Sequence, residues 1–204
     1  MKNYISINNQ KIELTEEQVK RLAEACGLQQ KQLSEFAAGS VVNVGGLEFV
    51  ILEQLDGQTA LILKELYCEE SEFGSENNNY NGSYADDKCK EFEQRLAEIV
   101  GLDNIILHEV DLTSDDGLKD YGKVERRVSI LTTAMYRKFV DILDKFNLEK
   151  WWWLATAHTT ERHGSNRWIR CVSPSGYISC DGYNYDDGGV RPFCILKSSI
   201  FVSQ

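Results

Sequence analysis

Three consecutive tryptophans, Trp151 to Trp153, open the run WWWLAT. Successive side chains of a strand leave on opposite faces, so the middle ring faces one side, its neighbours the other, and at least one ring is core. Tryptophan supplies a large apolar area and is mostly buried. The triplet therefore reads as structural, with Trp152 and Trp153 in the core; a ring lining a ligand groove is the alternative. The constraint spreads along the tail, because residues 151–196 hold all four tryptophans, both prolines, half of the six cysteines and two of the three histidines. Such a segment is either a catalytic centre or the packed base and decorated rim of a binding surface.

At 204 residues and 42% hydrophobic content the chain can bury a real core. Two prolines and no Gly/Ser-rich tract leave no sign of a flexible interdomain linker. A formal charge of -10 repels phosphate backbones and anionic lipid, which argues against direct nucleic-acid or membrane partners. The opening MKNYISINNQKIEL has no apolar core of signal-peptide length, and no stretch approaches the roughly 20 apolar residues of a membrane span. The expected address is the cytoplasm. Cysteines at 26, 68, 89, 171, 180 and 194 form no C-x-x-C pair and are too sparse for a disulfide scaffold, so free, mostly buried thiols are expected.

Residues 4–7 and 11–14 flank the turn signal Asn8-Asn9-Gln10 and predict a short hairpin. A helix follows, capped by Thr15 with Gln18 in the reciprocal position, carrying Val19, Leu22, Ala23 and Cys26 at helical spacing and stopped by Gly27. Residues 1–38 are thus a small N-terminal hairpin-helix appendage and 39–204 the main domain. From Ser40 the pattern turns to period two: VVNV, LEFVILEQL and TALILKEL, separated by Gly45-Gly46 and Asp56-Gly57, predict a three-strand meander. Residues 69–88 have the composition of a long surface loop. Cys89, Phe92, Leu96 and Ile99 form a helical stripe closed by Gly101. Residues 105–110 read as a strand and 113–122 as a loop. Thr132 or Thr133 then caps a helix with Tyr136, Phe139, Val140, Leu143 and Phe146 on its apolar face, and short strands and turns complete the chain.

The order GLEFVIL, ALIL, Asn81-Gly82-Ser83 before a helix, Ser129-Ile130-Leu131-Thr132, WWWLAT, VSPSG and GVRPFCIL resembles an uncharacterised domain family of bacterial phages and prophages. That family's consensus runs W-W-L-R-S/T, a strand, G, then G-V-R-P-A. The likeness spans Ser40 to Leu196 and is most specific at WWWLAT and GVRP. The family is similar in its C-terminal signature to the formylglycine-generating-enzyme branch of the C-type-lectin-like fold. The resemblance implies an α+β, C-type-lectin-like mixed domain with twisted antiparallel sheets, two flanking helices and a ligand surface built from C-terminal loops, acting in the host cytoplasm or on the virion. It fixes no chemistry, since related domains include enzymes and pure binding proteins. Where the consensus has arginine after W-W-L, this chain has Ala155, which removes one expected polar anchor.

Arg191 in GVRP lies between Val190 and Pro192 at the start of an apolar strand, a poor place for free solvation. It is expected to pair with a carboxylate and hold the C-terminal loops together. Formylglycine-generating enzymes use a close pair of C-terminal cysteines, but the spacing and surroundings of Cys171 and Cys180 do not match, and Cys180 shares a face with Ile178 as a small hydrophobe would. His158 and His163 lack a cysteine pair or an H-E-x-x-H helix to complete a zinc site. Asp181, Asn184, Asp186 and Asp187 lack the order of a calcium loop and its closing glutamate. No catalytic residue, metal or cofactor is assigned.

The alternation through Tyr177, Ser179, Asp181, Tyr183 and Tyr185 places Tyr, Ser and Asp outward, with Gly182, Gly188 and Gly189 giving the turns. Tyrosine, serine, asparagine and glycine are the residues that adaptable protein-binding surfaces favour. The run HTTERHGSNR supplies a facing loop. The expected ligand-binding rim is therefore His158, Thr160, Arg162, His163, Asn166 and Arg167 on one side. On the other stand Tyr177, Ser179, Asp181, Tyr183, Asn184, Tyr185 and Asp186. The sequence thus points to a non-enzymatic domain recognising a protein or glycan. A metal- or thiol-dependent enzyme on the related fold, or an acidic phage inhibitor of a host defence protein, are the alternatives.

Overall fold

The computed structural model describes residues 3–7, 10–25 and 30–203. Strands β1 (Asn3–Ile7) and β2 (Gln10–Leu14) pair as the expected antiparallel hairpin, and α1 (Glu16–Ala25) follows. The Thr15 hydroxyl accepts the Gln18 N–H at 3.2 Å while the Gln18 side chain accepts the Thr15 N–H at 2.9 Å, so the reciprocal cap forms. Asn8, Asn9 and the helix stop at Cys26 and Gly27 lie outside the described residues.

Strand β3 (Lys31–Gln32) leads into Leu33 and Phe36, both buried in the main core. Residues 31–38, grouped with the N-terminal segment on sequence grounds, therefore pack as part of the main body. Strands β4 (Val41–Val44), β5 (Leu47–Leu55) and β6 (Gln58–Leu63) form the expected meander. Its period-two reading needs correcting, because Phe49, Val50, Ile51 and Leu52 are buried in succession and the sheet is covered on both faces.

The segment after β6 is not the surface loop its composition predicts. Phe73, Asn78 and Tyr80 are wholly buried. Ser83 then caps α2 (Tyr84–Val100), its hydroxyl accepting the Asp86 N–H at 3.2 Å. Cys89, Phe92 and Leu96 face the core as expected, but Ile99 is 38% exposed.

The strand expected over 105–110 is broken at exposed Leu107 into β7 (Ile105–Ile106) and β8 (His108–Asp111), and β8 pairs with β9 (Lys123–Arg126). After β10 (Val128–Ser129), Thr132 caps α3 (Thr133–Leu143). Strands β11 (Trp152–Ala157), β12 (Trp168–Val172) and β13 (Ile178–Gly182) form a three-stranded sheet. Strand β14 (Phe193–Lys197) returns to the main sheet, and β15 (Phe201–Val202) pairs with β3.

The main sheet runs β10-β14-β6-β5-β4, with β7 also on β14. Phe49, Ile51 and Leu61 share one cluster with Phe92 and Leu96 of α2, whereas Val50, Leu52 and Ile62 share another with Tyr136, Phe139 and Leu143 of α3. The fold is α+β, with several antiparallel sheets and two main helices. No helix among the described residues is long and apolar enough to cross a membrane.

Strand β11 divides its tryptophans between those clusters, as alternation requires. Trp152 meets Tyr136 with ring centroids 5.7 Å apart on the α3 side; Trp153 meets Phe73 at 5.9 Å on the α2 side and donates from Nε1 to the Ser71 carbonyl at 2.8 Å. Gly188 and Gly189 are not turn glycines. A Cβ on Gly188 would lie 2.1 Å from Trp153 Cε2, and one on Gly189 2.4 Å from Leu66 Cδ1, so both are needed for close approach. Because the Trp153 ring is hydrogen-bonded and buried, it cannot give way. Gly188→Ala is therefore expected to cost about 1–3 kcal/mol by overpacking, read as a lower urea midpoint at unchanged slope.

Arg191 is 1% exposed, but no carboxylate pairs with it among the described residues. It donates from Nε to the Leu63 carbonyl at 2.9 Å and from one terminal nitrogen to the Lys64 and Phe146 carbonyls at 2.9 and 3.3 Å, with the Trp152 ring 5.3 Å away. The main chain leaving β6 presents carbonyls with no ladder partner, and a planar fork of donors satisfies them.

Candidate binding surface

One expected rim segment joins β11 to β12 and the other runs through β13, and the structure treats them differently. Residues 158–167 are braced from beneath. Asn78, wholly buried, donates its backbone N–H to the Asn166 carbonyl at 2.9 Å and its side-chain amide to the Thr159 and Trp168 carbonyls at 2.9 and 2.7 Å. Its own carbonyl oxygen accepts the Tyr121 hydroxyl at 2.6 Å, so every polar atom of that side chain is used.

The loop 113–122 supplies a second brace. Asp116 accepts from the Thr159 hydroxyl at 2.5 Å and contacts His163 Nδ1 at 2.9 Å; Asp120 accepts from the Thr160 hydroxyl at 2.6 Å and pairs with Arg162 at 2.8 Å. Hydrogen bonds from Ser114, Thr159 and His163 hold the Asp116 carboxyl well below the usual carboxylate range. Asp115 bridges Arg170 at 2.7 Å and Arg137 at 3.3 Å, and with Arg137 it lines an open cleft of about 280 Å³ at the start of α3. Thr160 is buried by this network and leaves the exposed rim. His158 is half-buried, and Arg162 and His163 are exposed but engaged with carboxylates.

The second segment departs further from expectation. Ile178 to Asp181 are all half-buried, because the small sheet lies between the two cores, with Ile178 packed on the α3 side and Cys171, opposite Ser179, on the other. The strict in-out contrast therefore fails. Tyr183 is corrected to a core-packed residue: its N–H donates to the Arg167 carbonyl at 3.0 Å, its carbonyl accepts the Gly74 N–H at 3.0 Å, and its ring rests on the α2-side core. Burial, with the Asp187 charge beside it, raises the Asp181 carboxyl, while the Gly182 N–H and Arg167 oppose the shift.

Solvent sees Tyr177, Asn184, Tyr185 and Asp186 from this segment, and Arg167 and Trp168 from its neighbour. The Arg167 guanidinium carbon lies 5.3 Å from the Trp168 ring and 5.6 Å from that of Tyr185, and the guanidinium donates to the Tyr185 hydroxyl at 3.2 Å. Trp168 is 36% and Tyr185 41% exposed. Sequence reasoning named Arg167 and Tyr185 but missed Trp168. Its signal was a position next to a basic residue in a short strand facing a Tyr-rich one.

Cys171 and Cys180 cannot act together from here. Cys171 pairs across with Ser179 and Cys180 with Arg170, so the two thiols lie on opposite faces of the sheet. Burial pushes the Cys171 thiol up to about 12. Among the described residues, no group of three or more His, Cys, Asp or Glu side chains is placed to hold a metal ion. No family model, curated protein or solved structure matches the chain.

Proposed function

We propose that this chain is a non-enzymatic recognition domain, of the phage C-type-lectin-like kind that WWWLAT and GVRP resemble, binding a protein partner through its C-terminal rim. The observation that carries the reading is the exposed Arg167–Trp168–Tyr185 stack. Tryptophan, tyrosine and arginine dominate the binding energy of protein interfaces, and here they stand together on a braced support. Pre-organisation lowers the ordering cost of association, which is what the Asn78 and Asp116 bracing supplies. The charge of -10 favours a basic partner surface.

The test is Trp168→Ala combined with Tyr185→Ala. Both rings are exposed enough that folding should stay within about 1 kcal/mol of wild type. Affinity for the partner captured by the wild-type domain should fall by about 2 kcal/mol or more, measured by titration of the purified pair. Equal affinity in the double variant, or saturable binding to a glycan array with no protein captured, would overturn the reading.

A further inference from the structure

We propose that the free edge of β13 is a strand-addition site for an extended, basic segment of a partner protein. This rests on the recognition-domain reading but names a different surface of the same hairpin. Ser173 donates its N–H to the Tyr177 carbonyl at 2.9 Å and Tyr183 to the Arg167 carbonyl at 3.0 Å, one bond at each end of the β12–β13 ladder. Hydrogen-bonded pairs alternate along an antiparallel ladder, so Ser179 and Asp181 turn their backbone groups to β12. Ile178, Cys180 and Gly182 turn theirs outward.

Gly182 is already occupied, its N–H by the Asp181 carboxylate at 2.7 Å and its carbonyl by the Tyr185 N–H at 3.1 Å. The N–H and C=O of Ile178 and Cys180 have no partner among the described residues. The opposite edge of this sheet is closed, since Trp153 N–H donates to the Gly189 carbonyl and Gly189 N–H to the Trp151 carbonyl, both at 2.9 Å. An open row of donors and acceptors is what an extended peptide reads when it adds to a sheet.

A groove of about 460 Å³ opens beside that edge, lined by Tyr136, Val140, Asp144, Gly176, Tyr177 and Ile178. Tyr177 is 59% exposed there. Alternate side chains of an added strand point to one face, so an apolar residue directed at α3 would enter the groove. Charge selects the flanks. Asp144 stands beside Gly176 at one end, and Asp181 and Asp187 stand at the other, where Arg167, engaged with Trp168 and Tyr185, offsets part of their charge. Arg137, which also lines the groove, already has Asp115 at 3.3 Å. A second copy of a chain carrying -10 is repelled; a segment with lysine or arginine around an apolar residue is drawn in.

The probe is a capped heptapeptide alternating lysine and valine, titrated into the whole chain with amide hydrogen exchange as the readout. Saturable binding at millimolar concentration or below is expected, with new protection at the Ile178 and Cys180 amides. Replacing lysine by glutamate should weaken binding about tenfold. N-methylation of every peptide amide, which leaves neither edge of the peptide a donor, should abolish it. Cys180→Pro removes an outward N–H that β12 does not use, a position where an edge strand tolerates proline; it should keep the melting profile and lose the peptide. The N-methylated peptide leaves the protein untouched and decides the matter if that variant fails to fold. No saturable binding, undiminished binding of the N-methylated peptide, or protection confined to other residues each overturns strand addition. Partner binding that depends on Trp168 and Tyr185 without peptide docking at β13 refutes this proposal alone. Docking at β13 with a partner indifferent to those two rings refutes the stacked platform alone.

Discussion

Arg191→Ala is expected to remove about 3–5 kcal/mol of stability, a large share of a domain's total. Truncation leaves a cavity in a packed site, which for a long buried side chain costs about 2–5 kcal/mol. It also strips the donors from the Leu63, Lys64 and Phe146 carbonyls, and an unsatisfied buried acceptor costs about 1–3 kcal/mol. Against these losses stands the relief of a guanidinium buried without a counter-ion. Burial lowers its pKa to about 10, with Glu65 offsetting only part of the effect. The side chain therefore stays charged at neutral pH, and the relief is partial. Arg191→Met, which restores volume but no donors, should recover about half of the loss. Arg191→Lys should recover less than its charge suggests, because a single ammonium cannot reproduce a planar fork. Urea unfolding of the three variants measures these differences, and an alanine variant as stable as wild type would refute the assigned role of the carbonyl cluster.

The burial of Arg191 was legible because GVRP sets it between apolar neighbours. Its partners were not, since nothing in the sequence marks where β6 stops and leaves its carbonyls unpaired. The tryptophan triplet was legible through strand alternation alone, and Trp152 and Trp153 go to opposite cores as that rule demands. Gly188 and Gly189 look like turn residues because glycine is common in turns; the rings and side chains that press on them come from far along the chain. Asn78 misleads in the same way. A segment rich in Asn, Ser and Gly reads as solvated, yet one buried amide in it organises the rim by satisfying carbonyls some 80 to 90 positions away. Tyr183 was misplaced because alternation says which residues share a face and not which face is covered. A sheet lying between two cores has no fully wet side. A signal for α2 was present and went unused: Ser83 and Asp86 stand in the spacing of a helix cap, and the structure uses both.

Stability should fall in two stages as the pH is lowered, and Asp86 shares the second with Asp116. The first belongs to His108, whose ring meets Phe193 at 5.2 Å and whose Nε2 lies 3.0 Å from the Ser129 hydroxyl. Burial pushes its pKa from 6.5 down to about 4. The unfolded chain then binds a proton that the native state refuses, so the contribution is full above about pH 6.5 and gone below about pH 4, a loss of about 3 kcal/mol. His108→Gln should flatten this stage. Asp86 is buried near the start of α2, where burial by itself would raise its pKa. Hydrogen bonds from Arg126, the Gly82 N–H and Lys90 outweigh that and hold it below 3.8. Arg126 reaches both of its oxygens, at 2.7 and 2.8 Å, and so ties β9 to α2. A depressed native pKa means stability that is present above about pH 4 and lost as the pH falls through the native value. Asp86→Ala should therefore shrink the second stage, leaving the share that Asp116 carries, and, by taking the carboxylate from half-buried Arg126, cost about 3 kcal/mol at neutral pH. The two variants separate the stages in urea titrations from pH 7 downward. If Asp86→Ala matches wild type at pH 7 and loses as much stability below about pH 4, the Arg126 pair is not what sets acid stability, and other carboxylates must carry that stage.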